Sequence, residues 1–407
     1  MDFETLQVGA NWYKLPWRQF GDPIQQWETL PSFLAIEYTV MIASLVALWH
    51  ATRTDKLMHW IGSIIGGTCN DTFFMLLPFC DNFWQGQGTI MLTPRMPLYI
   101  PAMYSCFMYY SIIAASRLCL SPFSEAAAAG LLAAIFYGPY DICGPRFLWW
   151  TWHDTDPAIS KRILNAPCGS TIWILTYTAS FCFLLRFILS KERASNSVLR
   201  FGKVLLAGIT AIPLFMVVMS ALQFLSMDII GIPGPRTLFL TVFVYSGLVF
   251  HGLFSGETAA KQLSDTASQG GDRILYASAF CYFCALMFVI AFSDPQAHVS
   301  TGVHQVFGDC GVISVDIMGY NREENVCAAG PVAASAPDYS ITKCGHFDGS
   351  IAPSKEGASS EWYTVCGVLS PEPMHELGGV MLLCSMGIVA YGLCLLRGIR
   401  SRKPKRG

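Results

Sequence analysis

Residues 204–227 read VLLAGITAIPLFMVVMSALQFLSM, a stretch with no Asp, Glu, Lys or Arg. A bilayer core of about 30 Å is crossed by about 20 apolar residues in one helix. Lipid offers no partner to an open backbone N–H or C=O, so such a run closes its hydrogen bonds within a helix. Residues 96–116, 237–256, 274–293 and 377–396 are charge-free in the same way. Weaker stretches join them: the first carries Glu37, the second His59 and Asp71, and the fourth is short and rich in Ala. The expected spans are 33–52, 57–79, 97–117, 126–142, 168–189, 204–227, 237–255, 274–293 and 378–397. The expected fold class is all-α: a polytopic transmembrane helical bundle of about nine spans, with a small disulfide-bearing lumenal insertion.

Composition agrees along all 407 residues. Hydrophobic residues make up 53% and charged residues only 13%, about half of the roughly 25% usual in soluble proteins. Mean hydropathy is +0.43. A soluble chain of this length needs more polar residues to cover its surface. The net charge of −2 creates no field that recruits a polyanion. Soluble enzymes, disordered chains and nucleic-acid binders are therefore excluded. The bilayer is the expected partner, together with a lipid-like ligand; protein partners stay open.

Lys and Arg accumulate on the cytosolic side of membrane proteins. The tail from Arg397 to Gly407 holds six basic residues and no acid, so the C-terminus is expected in the cytosol. Counting back through nine spans puts Arg53, Lys56, Arg117, Lys191, Arg193, Arg200, Lys203, Lys261 and Arg273 on that side. The expected organisation is a lumenal N-terminal segment at 1–32, an eight-span bundle at 33–293, a Cys-containing lumenal insertion at 294–377, a last span at 378–397 and a basic cytosolic tail at 398–407. No cleavable signal peptide is visible: the start carries Asp2 and Glu4, lacks a basic region and includes Trp12, Trp17 and Trp27.

The insertion contains 14 charged residues and four cysteines, Cys310, Cys327, Cys344 and Cys366. An even count on the lumenal side suggests two disulfides in one of three connectivities. The alternative is four thiols in a loop. Cys143 and Cys168 flank the other large lumenal loop and offer a weaker pairing, for which Cys80 competes. Lys403 and Lys405 stand fifth and third from the C-terminus, as in a dilysine retrieval signal for the endoplasmic reticulum; a basic stop-transfer flank explains them equally well. The localisation read from this is an integral protein of the endoplasmic reticulum or another endomembrane.

Ionisable groups inside a bilayer are costly and mark sites or polar networks. Glu37, Asp71, Asp141 and Asp228, with Asn70, lean to the lumenal ends of their spans. A desolvated carboxyl there can act as a general acid; the structural alternative is an interhelical hydrogen-bond network. The densest stretch follows Asp141. Arg146, Trp149, Trp150, Trp152, His153, Asp154 and Asp156 crowd the start of one lumenal loop. Trp faces can line a pocket for an apolar or cationic ligand, although Trp near an interface is also an anchor. His153, Asp154 and Asp156 suit acid–base work, or a cation, or a helix cap. Pro-Arg recurs at 94–95, 145–146 and 235–236; Arg95 and Arg146 are thus interface anchors or, less simply, anion contacts.

His-Glu-x-x-His, Gly-x-Ser-x-Gly, P-loop and Gly-x-Gly-x-x-Gly motifs are all absent, and no metal or cofactor is expected. Gly62-x-x-x-Gly66 reads as a helix-packing motif.

Asn82-Phe-Trp84, Pro97-Leu-Tyr-Ile100, Pro139-Tyr-Asp-Ile-x-Gly144 and Trp149-Trp-Thr-Trp-His-Asp-Thr-Asp-Pro157 together resemble an uncharacterised family of eukaryotic multi-pass membrane proteins, a domain of unknown function. The likeness covers about residues 35–290. It implies a shared helical bundle and brings no activity with it. A fainter similarity, carried by Glu37 and residues 149–157, is to membrane carotenoid hydratases.

The expected function is binding or conversion of an apolar, lipid-like molecule at the lumenal face. In an enzyme, Asp71 or Glu37 is the buried acid or base, and Asp141 and His153 orient or relay. Arg146 holds a polar head group, and Trp149 and Trp152 line the pocket. The competing classes are a non-catalytic receptor, chaperone or assembly factor, and a transporter, which needs a water path to the cytosolic face.

Overall fold

The structure, a computed structural model, describes residues 17–77, 81–153, 155–189, 197–225, 230–231, 234–254, 270–316, 319–326 and 360–396. Asp154, Asp228, Cys80, Cys327, Cys344 and the tail at 398–407 lie outside the described residues.

Each expected span coincides with a helix. In chain order the helices are α1 (Pro23–Thr29), α2 (Pro31–Arg53), α3 (Leu57–Leu76), α4 (Tyr99–Ser116), α5 (Pro122–Arg146), α6 (Pro157–Ser160), α7 (Cys168–Leu189), α8 (Ser197–Gln223), α9 (Gly234–Phe254), α10 (Gly270–Phe292) and α11 (Pro373–Leu395). Proline opens α1, α2, α5 and α11. Its missing N–H is one that the first turn leaves unpaired in any case. Among the described residues, α2, α5, α7, α8, α9, α10 and α11 are long and apolar enough to cross a membrane.

The structure corrects three boundaries. The second span, expected to reach 79, ends at Leu76, because Pro78 drives Leu77 out of the helical region to φ −97°, ψ 114°. The fourth, expected at 126–142, is the longer α5 and runs through Pro139 and Pro145. The sixth begins at Ser197 rather than 204, so Arg200 and Lys203 lie on α8 itself.

Helix α4 runs through the middle of the bundle, buried from Tyr99 to Ala115. Its four Tyr and three Ser are tolerated there because neighbours satisfy them. Ser105 donates to Ser44 at 2.7 Å, Tyr110 to the Ala43 carbonyl at 3.0 Å, and Ser111 meets the Tyr391 hydroxyl at 2.7 Å. Outer helices show the reverse pattern. Phe243, Phe288 and Leu393 point outward, 75%, 63% and 67% exposed, the apolar exterior that a lipid-facing surface requires. Gly62 and Gly66 let α3 approach α8 closely: a Cβ on Gly66 would lie 3.4 Å from the Gly208 Cα.

Short antiparallel strands gather at one end of the bundle. Strand β1 (Phe83–Gln85) pairs with β4 (Trp150–Trp152), and between them in the chain β2 (Met91–Thr93) pairs with β3 (Met96–Pro97). In the segment before α11, Val299–Phe307 pairs with Ser360–Cys366, and Ile313–Val315 pairs with Asn321–Glu323. This segment is bound to the bundle. Arg322 forms a 2.9 Å ion pair with Asp156 and donates to the Asp81 carbonyl at 3.0 Å. Arg146 donates to the Val368 carbonyl at 2.7 Å. At the opposite end, Asp272 pairs with His50 at 3.0 Å and with Arg117 at 2.9 Å, and Arg186 pairs with Glu125.

Cys143 and Cys168 are both free thiols, so the bridge considered between them does not form. Cys310 and Cys366 are not among the free thiols of the described residues.

Candidate functional site

A cavity of about 160 Å³ lies at the strand-bearing end, enclosed by α3, α4, α5, α7 and α8 and covered by β1 and β4. It is close in size to cavities of about 150 Å³ that hold a benzene ring. Its wall is rich in aromatic side chains. Trp150 and Trp152 descend from β4, Trp173 stands on α7, and Phe107, Tyr137 and Phe215 complete the sides.

The polar face comes from α3 and α4. Tyr104 donates a short hydrogen bond to Asp71 Oδ1, and Asn70 Nδ2 reaches the Tyr104 hydroxyl at 3.4 Å. All three residues line the cavity. Asn70 is fully buried, and its Oδ1 has no hydrogen-bond partner among the described residues. A buried acceptor left unpaired costs about 1–3 kcal/mol; a ligand donor placed there removes that cost. Gly67 makes the arrangement possible, since any Cβ there would overlap the Tyr104 ring. Gly144 does the same for Trp150, whose ring fills the space above it.

Asp141 sits 1% exposed on α5 with neither carboxylate oxygen in a well-formed hydrogen bond. The Ser170 hydroxyl lies beside it, and Ser170 itself lines the cavity. Asp141 thus stands directly behind the wall.

The remaining sequence-derived candidates are placed elsewhere. Glu37 accepts from the Thr89 N–H at 2.8 Å, the Thr89 hydroxyl at 3.0 Å and Gln26 Nε2 at 3.3 Å. It therefore fixes the loop after β1 and does not line the cavity. Arg95 is held by Asp81 at 2.5 Å and by the Phe83 carbonyl at 2.7 Å, and stacks over Trp84 at 5.3 Å. Arg146 pairs with Glu376 at 3.4 Å, away from the lining. Trp149 is fully buried and donates to Ser32 at 3.0 Å.

The His153 ring meets Thr155 Oγ1 through Nδ1 at 2.9 Å, and the His153 backbone N–H donates to the Asn82 carbonyl at 2.8 Å. Burial first, then the nearby Arg322 charge, lower its pKa to about 3, so the ring is a neutral imidazole at physiological pH. Asp156 is engaged by Arg322. Of the candidates, then, Asn70, Asp71 and Trp152 meet at the cavity, and Asp141 borders it.

Sequence reasoning missed Tyr104, Tyr137, Ser170 and Trp173. They are ordinary helix residues of an apolar run, and no local signal separates them from packing side chains. Trp150 was visible within the Trp149–Pro157 motif, but its neighbour Trp149 drew the assignment.

A bundle of long apolar helices around an aromatic chamber with a buried carboxylate defines a multi-pass membrane protein. The family model described as a domain of unknown function (DUF7802) matches residues 9–391, and the chain belongs to that family. No curated protein and no solved structure matches the chain.

Proposed function

We propose that this protein spans the membrane nine times and binds, or converts, an apolar lipid-like molecule in the cavity at its lumenal end. The observation carrying this reading is an aromatic cavity that holds the Asn70, Asp71 and Tyr104 polar groups at one face. Phe74, Met216 and Met219 are half-buried lining residues and Ser220 is exposed. They set a mouth between α3 and α8 on the bundle's outer surface, where lipid is the solvent. In a catalytic protein, Asp71 with Tyr104 is the acid–base pair, and Asp141 with Ser170 is a second group behind it. The carotenoid-hydratase similarity contributes only Trp150 and Trp152 to this cavity, because Glu37 is committed to Thr89.

The lumenal assignment rests on charge. Lys56, Arg117, Arg186 and Arg200 cluster at the end away from the cavity, where the excess of cytosolic Lys and Arg places the cytosol. The basic tail with Lys403 and Lys405 follows the last span on that side and directs the protein to the endoplasmic reticulum. The segment before α11 is then lumenal, and disulfides among Cys310, Cys327, Cys344 and Cys366 follow from that compartment.

Lipid mass spectrometry on gently purified protein tests the function. We expect one small amphiphile enriched with the wild type and lost from a Met219→Trp variant, whose larger side chain fills the cavity. Absence of any enriched molecule from folded wild-type protein overturns the reading.

A further inference from the structure

We propose that the cavity is selective for amphiphiles carrying a cationic amine, over neutral alcohols and anionic acids. The inference rests on the lipid-site reading above and specifies its ligand class.

The first argument is charge. Among the described residues lining the cavity there is no Lys, Arg or His, and Asp71 is the sole carboxylate. Cations around the cavity are engaged by other groups, Arg95 by Asp81, Arg146 by Glu376, and Arg162 by the Ile159 carbonyl and Asn165. A phosphate or fatty-acid carboxylate entering here meets no counter-ion, and burying an unpaired charge is heavily disfavoured. An ammonium meets its counter-ion. Tyr104 uses only Oδ1 of Asp71, and a carboxylate has about four acceptor positions, so capacity remains for a second donor.

The second argument is the unpaired acceptor. Asn70 Oδ1 lies next to Asp71 in the chain, is fully buried and has no hydrogen-bond partner among the described residues. An ammonium has several donors and can serve Asn70 and Asp71 together; a hydroxyl has one.

The third argument is the wall. Trp150, Trp152 and Trp173 line one chamber with Tyr104, Tyr137 and Phe107. Trp is the strongest aromatic partner of a cation, and aromatic cages are a recurring solution for ammonium groups. A chamber of about 160 Å³ admits the head group and its first carbons. The chain then leaves past Met216 and Met219 towards lipid.

Binding of three probes with one chain length tests the proposal: dodecylammonium, dodecanol and dodecanoate. Full-length protein in a neutral sugar-headgroup detergent is titrated and Trp fluorescence is followed. In the wild type the ammonium binds at least about tenfold tighter than the alcohol, and dodecanoate is weakest. Asp71→Asn brings that ratio below about threefold while alcohol binding persists. Trp173→Leu, which keeps an apolar wall and leaves the buried carboxylate in place, also reduces the ratio; it serves if Asp71→Asn does not fold. Equal binding of ammonium and alcohol by the wild type, or an unchanged ratio in both variants, overturns the amine selectivity and leaves the lipid site standing. No binding of any probe to folded wild type overturns both.

Discussion

The ring of Tyr104 occupies the space that a side chain at Gly67 would fill. That contact sets the α3–α4 approach and delivers the Tyr104 hydroxyl to Asp71, four residues further along α3. A methyl at position 67 must push Tyr104 aside or separate the helices. Overpacking of this kind costs about 1–3 kcal/mol. Gly67→Ala is therefore expected to lower the melting temperature and weaken ligand retention together. Gly202→Ala is the control, because nothing lies within 4 Å of a Cβ there and Ala is the better helix former by about 1 kcal/mol. Equal thermal stability of the Gly67→Ala protein and the wild type would contradict the role assigned to this contact.

The bundle was legible in the sequence because membrane insertion is read from composition alone. Charge-free runs at 237–256 and 274–293 each form a helix within four residues of the expected span, whereas the helix holding 204–227 starts seven residues earlier, at Ser197. Much of the site was not legible. Asp71 and Asn70 stood out as polar residues in an apolar run. Tyr104 and Trp173 did not, since a tyrosine or tryptophan in a span is ordinary until its neighbours are known. Glu37 was as conspicuous as Asp71. Only the fold reveals that Thr89, 52 residues away, satisfies it. Arg146 likewise finds Glu376 at the far end of the chain, a partner that no local spacing identifies.

Acid should loosen the strand-bearing end. Burial lowers the pKa of His153 from 6.5 to about 3 and that of His304 to about 4. Both rings are neutral in the folded state. Above pH 6.5 neither state binds a proton there, and these histidines give stability no pH dependence. Below 6.5 the unfolded chain takes up protons that the folded chain refuses, so stability falls. The slope is about 1.4 kcal/mol per pH unit for each histidine, continuing towards pH 4 for His304 and pH 3 for His153. Thermal unfolding followed between pH 7.5 and 5 should show this loss, and His153→Gln should make it shallower by about one histidine's share. An unchanged slope in that variant contradicts the assignment of a neutral buried ring.

At the other end, Asp272 is fully buried between His50 and Arg117, and Tyr109 completes the network through His50 Nδ1 at 2.8 Å. Removing one member of a buried ionic cluster strands the rest, at a cost of about 3–5 kcal/mol. Asp272→Asn should therefore unfold at a markedly lower temperature. Because this network is remote from the cavity, protein that does fold should bind the same ligand with unchanged affinity. Loss of affinity without loss of stability would show that the two ends are coupled.

The Arg322–Asp156 pair joins the segment before α11 to the loop that follows β4, with side chains 3% and 4% exposed. Its position makes it a clamp over the cavity's cover rather than part of the lining, which contains neither residue. Asp156→Asn keeps the shape and removes the charge, leaving Arg322 with the Asp81 carbonyl among its partners. The expected result is a fall in stability of a few kcal/mol. Protease cleavage within 294–372 should become faster, because the segment loses a buried ion pair to the bundle. Ligand release should also accelerate, since β4 carries both the clamp's loop and the Trp150 and Trp152 walls. Asp156→Asn protein with wild-type cleavage and release rates would show that the cover is held by its strand pairing alone.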